Sequence, residues 1–301
     1  SQTLKDVEFI FVDDASPDRS IELLNKCIRK YPNRVDSIKI VSHEKNKGLP
    51  AARNTGVALA TGEYIFHCDS DDFVDSDMLE TLYDTAQKEK ADIVWCDWFL
   101  SFEHTERYMK QPSYTTSTEA LKAMLGGVMK FNVWNKLVRR GLYTDNHICF
   151  PEGYAMGEDM TMILLFAVAA NVVYVPRAFY HYVKLNSEAY SQNFSLHHLD
   201  SVKHNIHIVE TFLQEHFGND LDLEIACMKL EAKFPFLMSN DKYMYKLWVE
   251  TYPEANIYIM RNHYISNRRR LVQWCAYKHW WLMVRLHNWI VCKVVYGLIY
   301  R

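Results

Sequence analysis

The apolar positions in the first seventy residues form short runs that alternate with helical stripes. Nearly continuous runs of β-branched and aromatic residues lie at 7–12, 37–41 and 64–68. Such runs are typical of strands covered on both faces of a parallel sheet. Residues 17–30 and 49–60 have helical spacing, and Ser16 and Pro17 suit the start of the first helix. The pattern predicts a doubly wound, Rossmann-like α/β fold with a mostly parallel sheet.

Further elements follow, and the chain then becomes helical. Helices are predicted at 77–90, 116–126, 158–170, 196–217 and 221–237, and strands at 91–99 and 172–175. The last strand is expected to end at Pro176. We therefore expect an α/β domain over residues 1–195, a helical extension over 196–260 and a separate tail over 261–301.

Charge is distributed unevenly along the 301 residues. Residues 261–301 contain eight of the 34 Lys and Arg residues and no acid, which leaves 26 basic against 37 acidic residues, a net of −11, before them. The tail also holds half of the eight tryptophans, namely Trp274, Trp280, Trp281 and Trp289. Cations and tryptophans without acids are typical of a helix at a membrane interface. Packing against the body and an oligomer contact are the alternatives, and the acidic body argues against a nucleic-acid partner.

The cysteines and the apolar segments indicate where in the cell the protein is expected to lie. Seven widely spaced cysteines without a C-x-x-C pair predict reduced thiols rather than disulfides or a zinc site. The first residues lack a secretory signal pattern. Lys278, Arg285 and Lys293 divide the tail below the ~18 apolar residues that a spanning helix needs. We expect a cytoplasmic protein that lies peripherally on the inner face of the plasma membrane.

Two of the predicted strands end in aspartates. Asp13 and Asp14 follow the first, and Asp69, Asp71 and Asp72 follow the third. Ligands of open α/β sheets bind at these carboxyl ends, although a turn explains a single aspartate equally well. Three crowded carboxylates repel one another unless a cation is near. Since Mg²⁺ and Mn²⁺ take one or two carboxylates together with substrate phosphates, the cluster predicts a metal and a nucleotide.

Five ordered segments carry a family resemblance. They are VDDASPDRS (12–20), NKGLPAARNTG (46–56), GEYIFHCDSDD (62–72), WNKL (134–137) and GEDM (157–160). Together they resemble the family 2 glycosyltransferases of bacterial surface-polysaccharide synthesis, which have the GT-A fold. The resemblance covers about residues 7–187. It implies inverting transfer of a sugar from a nucleoside diphosphate donor, usually a UDP-sugar, to a hydroxyl of a glycan or lipid-linked acceptor, with Mn²⁺ or Mg²⁺.

The resemblance also assigns roles by position. The nucleotide contacts it implies are Asp13, Asp14, Arg53, Asn54 and Asp69. Asp71 resembles the principal metal ligand, with Asp69 beside it. Asp159 resembles the general base and Glu158 its neighbour, although an acid at a helix start is also favoured by the helix dipole. Weaker donor or acceptor candidates are Lys47, Trp134, Lys136, His181 and Lys184.

One further expectation follows from comparison with this family pattern. Members normally begin with a strand and a Pro-x-Tyr/Phe-Asn loop before the equivalent of residues 1–3, so we expect the sheet to lack its first strand.

Two other functions are compatible with the same carboxylates. A nucleotidyltransferase on a related α/β scaffold would use similar carboxylates, and a non-enzymatic receiver-like module would use the Asp13 and Asp14 pair. Release of UDP rather than pyrophosphate distinguishes a glycosyltransferase from a nucleotidyltransferase.

Overall fold

The computed structural model describes residues 2–154, 158–184, 196–239 and 241–291. It divides into two compact units, Ser1–Ala120 with Phe131–Val209, and Leu121–Lys130 with Glu210–Arg301. Residues 196–209 of the expected extension fall in the first unit, and its remainder falls in the second unit with the expected tail. The domain boundaries expected at 195/196 and 260/261 stay predictions. Residues 155–157, 185–195 and 292–301 lie outside the description, and with them the motif residue Gly157 and the end of the tail.

Strands and helices alternate through residue 183, in the α/β arrangement predicted. The elements are β1 (Phe9–Asp13), α1 (Ser20–Ile28), a 3₁₀ helix (Pro32–Ser37), β2 (Ile38–Ser42), α2 (Leu49–Leu59), β3 (Tyr64–Phe66), β4 (Phe73–Val74), α3 (Met78–Glu89), β5 (Ile93–Ser101), β6 (Glu106–Met109), α4 (Ser117–Leu125), β7 (Lys136–Arg139), α5 (Arg140–Asp145), a second 3₁₀ helix (Glu158–Met160), α6 (Thr161–Val168) and β8 (Val172–Val183). Helix α1 begins at Ser20, later than predicted, because Asp18 Oδ1 accepts a hydrogen bond from Ser20 N–H and closes a turn there.

The strands form two sheets in the first unit. Strands β1 and β2 pair in parallel, and the second sheet has the order β3-β7-β5-β8-β4 with β6 beside β5. Within the described residues the second sheet has one parallel pairing, β5 with β8, and four antiparallel ones. The expected mostly parallel sheet is therefore corrected to a mixed one. The β5–β6 pair is a hairpin, for which a tight turn suffices, whereas the other three antiparallel pairings join strands that are not consecutive and so could not be read from the order of elements.

A cavity of about 500 Å³ lies between the two sheets. Ile10 and Val12 of β1 and Ile65 of β3 line it, together with one side of α2. Among the described residues, β1 pairs with β2 alone and β3 with β7 alone, so each leaves one edge without a strand partner. Arg53 and Asp71 lie at the cavity wall, which places candidate site residues beside it. The expectation that the sheet lacks its first strand stays a prediction.

Strand β5 is the centre of the core in this unit. Its residues Val94 and Cys96 are fully buried and pack with Met78, Leu82 and Phe179. The strand predicted at 91–99 is covered on both faces. The core thereby fixes β5 and β8, and β8 carries Tyr180 and Val183, which contact the acidic loop after β3. The strands β1 and β2, which were expected to be covered on both faces, are not, since Phe11 of β1 and Ile40 of β2 are exposed.

Strand β8 corrects the expected break at Pro176. The strand continues to Val183 because its pairing with β5 shifts at this point, from Cys96 opposite Val175 to Asp97 opposite Ala178. The two residues between are bulged out of the ladder. Proline lacks an N–H donor, and a bulge is a position where that donor is not needed.

The remaining described chain is helical, as predicted. It comprises α7 (Leu196–Phe217), α8 (Asp222–Leu237), α9 (Lys242–Glu250), a 3₁₀ helix (Pro253–Arg261), α10 (Asn267–Tyr277) and α11 (Trp281–Ile290). In the second unit the buried Lys233 Nζ donates hydrogen bonds to Thr251 O, Tyr252 O and Asn256 Oδ1 at 2.8–3.1 Å. These bonds join α8 to the turn before the 3₁₀ helix. Within the described part of the chain, every helix is too short or too polar to cross a bilayer.

Candidate active site

The three aspartates that follow β3 have different environments. Asp72 is held by β8, where Tyr180 O–H and Val183 N–H each donate to its carboxylate at 2.7 Å. Asp69 accepts from Arg53 at 3.2 Å. Asp71 is exposed, and within the described residues its side chain has no hydrogen bond or ion pair. The protein itself stabilises two of the three carboxylates, so their crowding alone does not require a cation, and Asp71 is the carboxylate available to one.

The pKa values of the two held aspartates reflect opposing effects. Burial raises the pKa of Asp69, Arg53 opposes that rise, and the charge of Asp159 adds to it. Burial also raises the pKa of Asp72, against the hydrogen bonds from Tyr180 and Val183. In both cases burial outweighs the stabilising partners, so any additional positive charge beside Asp69 favours its ionised form.

Arg53 joins two of the predicted site residues that are far apart in sequence. Its Nη1 donates to Asp159 Oδ1 at 2.5 Å and its Nη2 to Asp69 Oδ1 at 3.2 Å. The side chain is 7% exposed, and its guanidinium lies 5.5 Å from the centroid of the Phe150 ring. A planar guanidinium suits this bridge because its donors form a rigid fork that reaches two carboxylates. Through Arg53, helix α2 thus brings Asp69 of the acidic loop and Asp159 of the GEDM segment together.

Asp14, at the end of β1, organises the loop that leads into α2. Its carboxylate accepts from Lys47 N–H at 2.8 Å and Gly48 N–H at 2.7 Å, and lies 2.6 Å from His43 Nδ1. Burial raises the pKa of Asp14, but these hydrogen bonds outweigh it and lower the pKa overall. Gly48 has φ of +88°, a conformation that favours glycine. The Asp14 carboxylate therefore holds the start of α2, the helix that carries Arg53.

Three further candidates are Asp13, Asn54 and Lys47. Asp13 Oδ1 accepts from Ser16 N–H at 2.9 Å and closes a turn. The Asn54 amide donates to Phe150 O at 2.9 Å and to Glu152 Oε1 at 3.0 Å, and its Oδ1 accepts from Phe150 N–H at 2.8 Å. These bonds favour structural roles for both side chains, and their nucleotide contacts stay predictions. The Lys47 side chain is exposed.

Asp159 lies in the 3₁₀ helix Glu158–Met160, just before α6. Helix α6 has no side-chain cap, so Asp159 is engaged by Arg53 rather than by the helix start. This geometry favours a site role over the alternative of an ordinary helix-terminal acid. For Glu158 the structure describes the backbone alone, and its predicted role as a neighbour of the base stays a prediction.

Trp134 and Lys136 are buried in the first unit. The Trp134 ring stacks on Tyr180 and Tyr182, with centroids 4.5 and 5.5 Å apart. Lys136 is 1% exposed, and its Nζ donates to Asn132 O at 2.6 Å. Burial lowers the pKa of Lys136 to about 7, which the charge of Asp159 opposes. A role in the core fits the burial of Trp134 better than an acceptor contact, and such a contact stays a prediction for both residues.

His181 is enclosed by acidic and aromatic side chains. Its ring nitrogens lie 2.7 Å from Glu106 Oε1 and 3.1 Å from Asp75 Oδ1, and its ring stacks 4.2 Å from Phe73. Both nitrogens are thus used within the protein, so a contact with the diphosphate stays a prediction. Lys184 is exposed at the last position before residues 185–195, which lie outside the description.

Sequence analysis missed three residues that support the site. His43 joins Asp14 to Thr55, through Nε2 at 2.9 Å from Thr55 Oγ1. Tyr180 O–H both donates to Asp72 and accepts from Asp69 N–H at 3.1 Å. His67 lies under the site, where burial and the nearby Arg53 lower its pKa to about 3 and keep it neutral. The sequence features that could have identified these residues are a histidine directly after β2 and tyrosines at alternate positions of β8.

The residues present fit a hard divalent cation in their chemistry. Asp69 and Asp71 supply carboxylate oxygens, which Mg²⁺ and Mn²⁺ prefer. Within the described residues, no group of three or more His, Cys, Asp or Glu side chains is arranged to hold a metal ion. A cation here would therefore need oxygens from a bound ligand as well, as is usual for sites that bind a metal together with a diphosphate.

Comparisons with known proteins identify the family of the chain. The family model described as "Glycosyl transferase family 2" matches residues 1–156, just over half of the chain. The cholesterol galactosyltransferase of Borreliella burgdorferi is 34% identical over 251 residues, which are 78% of this chain and 65% of that protein. Glycosyltransferase GlyG of Streptococcus pneumoniae is 30% identical over 208 residues, which are 65% of this chain and 67% of that protein.

A solved structure is similar in fold. The structure of S. aureus TarS 1-349 in complex with UDP-GlcNAc covers 100% of this chain and 86% of its own, with a TM-score of 0.70 and 17% identity. The chain spans less than two thirds of the length of the B. burgdorferi relative. The family model covers the first four of the five ordered segments, the solved structure shows the GT-A fold, and the chain belongs to glycosyl transferase family 2.

Proposed function

We propose that the protein is an inverting, metal-dependent glycosyltransferase that moves a sugar from a UDP-sugar to a hydroxyl of a glycan or lipid-linked acceptor in cell-surface polysaccharide synthesis. The observation that carries this proposal is the Arg53 bridge, which joins Asp69 of the acidic loop to Asp159. In this proposal Asp69 contacts the nucleotide and Asp159 is the base. Because one guanidinium holds both carboxylates, it places the donor site and the base close together, as sugar transfer between a bound donor and acceptor requires. Support for the donor comes from the family and from the UDP-GlcNAc complex of TarS.

The donor would lie at the carboxyl ends of β1 and β3. Asp14 holds the loop that begins at Lys47, Asp69 contacts the ribose and phosphates, and Asp71 with Asp69 would hold Mn²⁺ or Mg²⁺. A bound divalent ion stabilises the negative charge of a departing diphosphate. Asp71 suits this role because its carboxylate is exposed and not engaged by the described protein groups.

The acceptor hydroxyl needs a base, because a neutral sugar hydroxyl is a weak nucleophile. Asp159 is our candidate to accept its proton. Arg53 orients the Asp159 carboxylate by a hydrogen bond to Oδ1, which leaves Oδ2 as the oxygen that would accept the proton. Attack by the hydroxyl on the face opposite the diphosphate then inverts the anomeric carbon.

Changing Asp71 to asparagine is expected to weaken UDP binding in Mn²⁺ by at least about tenfold, because a neutral amide is a poor ligand for a hard cation. Isothermal titration calorimetry of UDP, with Mn²⁺ and with EDTA, measures the effect. We expect EDTA to lower the affinity of the unchanged protein to that of Asp71→Asn, and to have little effect on the variant.

The matched control is Asp84→Asn, which changes an exposed aspartate on α3. It should bind UDP as tightly as the unchanged protein in both buffers. Affinity that is equal in Mn²⁺ and EDTA for all three proteins would contradict the proposed metal dependence. A turnover assay with UDP-sugars then separates the proposal from the nucleotidyltransferase alternative, since sugar transfer releases UDP and nucleotidyl transfer releases pyrophosphate.

A further inference from the structure

Helix α11 in the second unit has its apolar residues on the solvent side. Leu282, Met283, Leu286, Trp289 and Ile290 are all exposed, from 44% for Ile290 to 79% for Leu282. At about 100° per residue, these five side chains fall within about 120° of the helix circumference and form one stripe. A helix on the surface of a soluble protein normally has its apolar stripe turned inward. The α11 stripe, defined by these five residues, is therefore the reverse of the usual arrangement.

The opposite face of α11 fixes this orientation. Val284 is fully buried, and the buried Asn288 amide donates to Leu237 O at 2.6 Å. The Trp281 ring stacks on Tyr245 with centroids 4.9 Å apart. These contacts lie within the second unit and hold the α11 stripe outward. Turning the stripe inward would break a buried hydrogen bond and an aromatic contact, so the stripe stays exposed, and an exposed apolar patch of this kind is typical of an interaction surface.

The charge around the α11 stripe points to the nature of that partner. From residue 255 to residue 291 there is no Asp or Glu, whereas Arg and Lys occur six times. Arg285 on α11 and Lys278 just before it are exposed, and Arg269 is paired with Glu231 at 2.8 Å. An apolar stripe with cations and without acids is complementary to a surface that is apolar inside and negative outside.

We propose that the α11 stripe inserts into the surface of an anionic lipid membrane, with the helix lying in the interfacial plane. Trp280 and Trp289, both more than half exposed, suit the headgroup level. A second copy of the chain fits less well, because a two-fold contact would bring two basic segments together. The inference goes beyond the proposed reaction, since lipid binding requires no donor, metal or base.

The test is co-sedimentation of the full chain with phosphatidylglycerol–phosphatidylcholine vesicles and with phosphatidylcholine vesicles. We expect binding to the anionic vesicles that weakens as salt is raised. Leu282→Asp should weaken that binding by about tenfold or more, because it removes apolar burial and adds a repelled charge. The matched control is Leu23→Asp, which changes a 56% exposed leucine of α1 and should bind as the unchanged protein does.

Three outcomes would overturn the inference. They are absence of vesicle binding by the full chain, equal weakening by both substitutions, and a dimer in solution that Leu282→Asp dissociates without any change in vesicle binding. UDP titrations of the same proteins keep the two proposals apart. Both variants should bind UDP normally, so loss of vesicle binding with normal UDP binding concerns α11 alone.

Discussion

Replacing Asp159 with asparagine is expected to lower the rate of sugar transfer by about 10²–10⁴-fold, the usual contribution of a general base. Asparagine has nearly the same shape and can still accept from Arg53 Nη1, so the bridge to α2 remains. It cannot accept the proton of the acceptor hydroxyl. The measurement is kcat for UDP release in the presence of acceptor, together with UDP affinity by calorimetry.

The contrast with Asp71→Asn makes this test specific. Asp159→Asn should lose turnover and keep UDP binding, whereas Asp71→Asn should lose both, because Asp71 is proposed to hold the metal with the diphosphate. Asp84→Asn should lose neither. Turnover by Asp159→Asn within a few fold of the unchanged protein would contradict the assignment of Asp159 as the base.

The elements with strong local signals were predicted well. Helix α2 was expected at 49–60 and spans Leu49–Leu59, and β2 was expected at 37–41 and spans Ile38–Ser42. Strand β4 was not predicted, because two residues, Phe73 and Val74, carry no periodicity. It exists through its pairing with His181 and Tyr180 on β8, more than 100 positions later, and such a pairing leaves no signal in the local pattern.

Prediction of the site was limited in the same way. The resemblance to the family singled out Arg53, Asp69 and Asp159, and the structure brings these three together. The resemblance singled out Asp71, but the residues themselves gave no physical reason to separate it from Asp72, because the difference depends on Tyr180 and Val183, more than 100 residues away in the chain. Local sequence thus identifies which groups can do chemistry, and long-range pairing decides which of them the protein already uses.

Replacing Arg53 with methionine is expected to lower the free energy of unfolding by about 3–5 kcal/mol, because the buried cation is lost and two carboxylates are left beside each other. The Asp69 and Asp159 side chains are 28% and 23% exposed, so water screens their repulsion incompletely. The loss should shrink as the pH is lowered. Burial and Asp159 raise the pKa of Asp69, so without Arg53 its protonation at falling pH removes the unpaired charge.

Urea unfolding from neutral pH down to about 3.9, the ordinary pKa of an aspartate, measures the effect. Arg177→Met is the matched control. Arg177 forms a 2.7 Å pair with Asp77 in which both side chains are more than a third exposed, so its loss should cost at most about 1 kcal/mol. Adding Asp159→Asn to Arg53→Met should restore part of the lost stability, because it removes one of the two repelling charges. If Arg53→Met were no less stable than Arg177→Met at neutral pH, the bridge would not hold the site together.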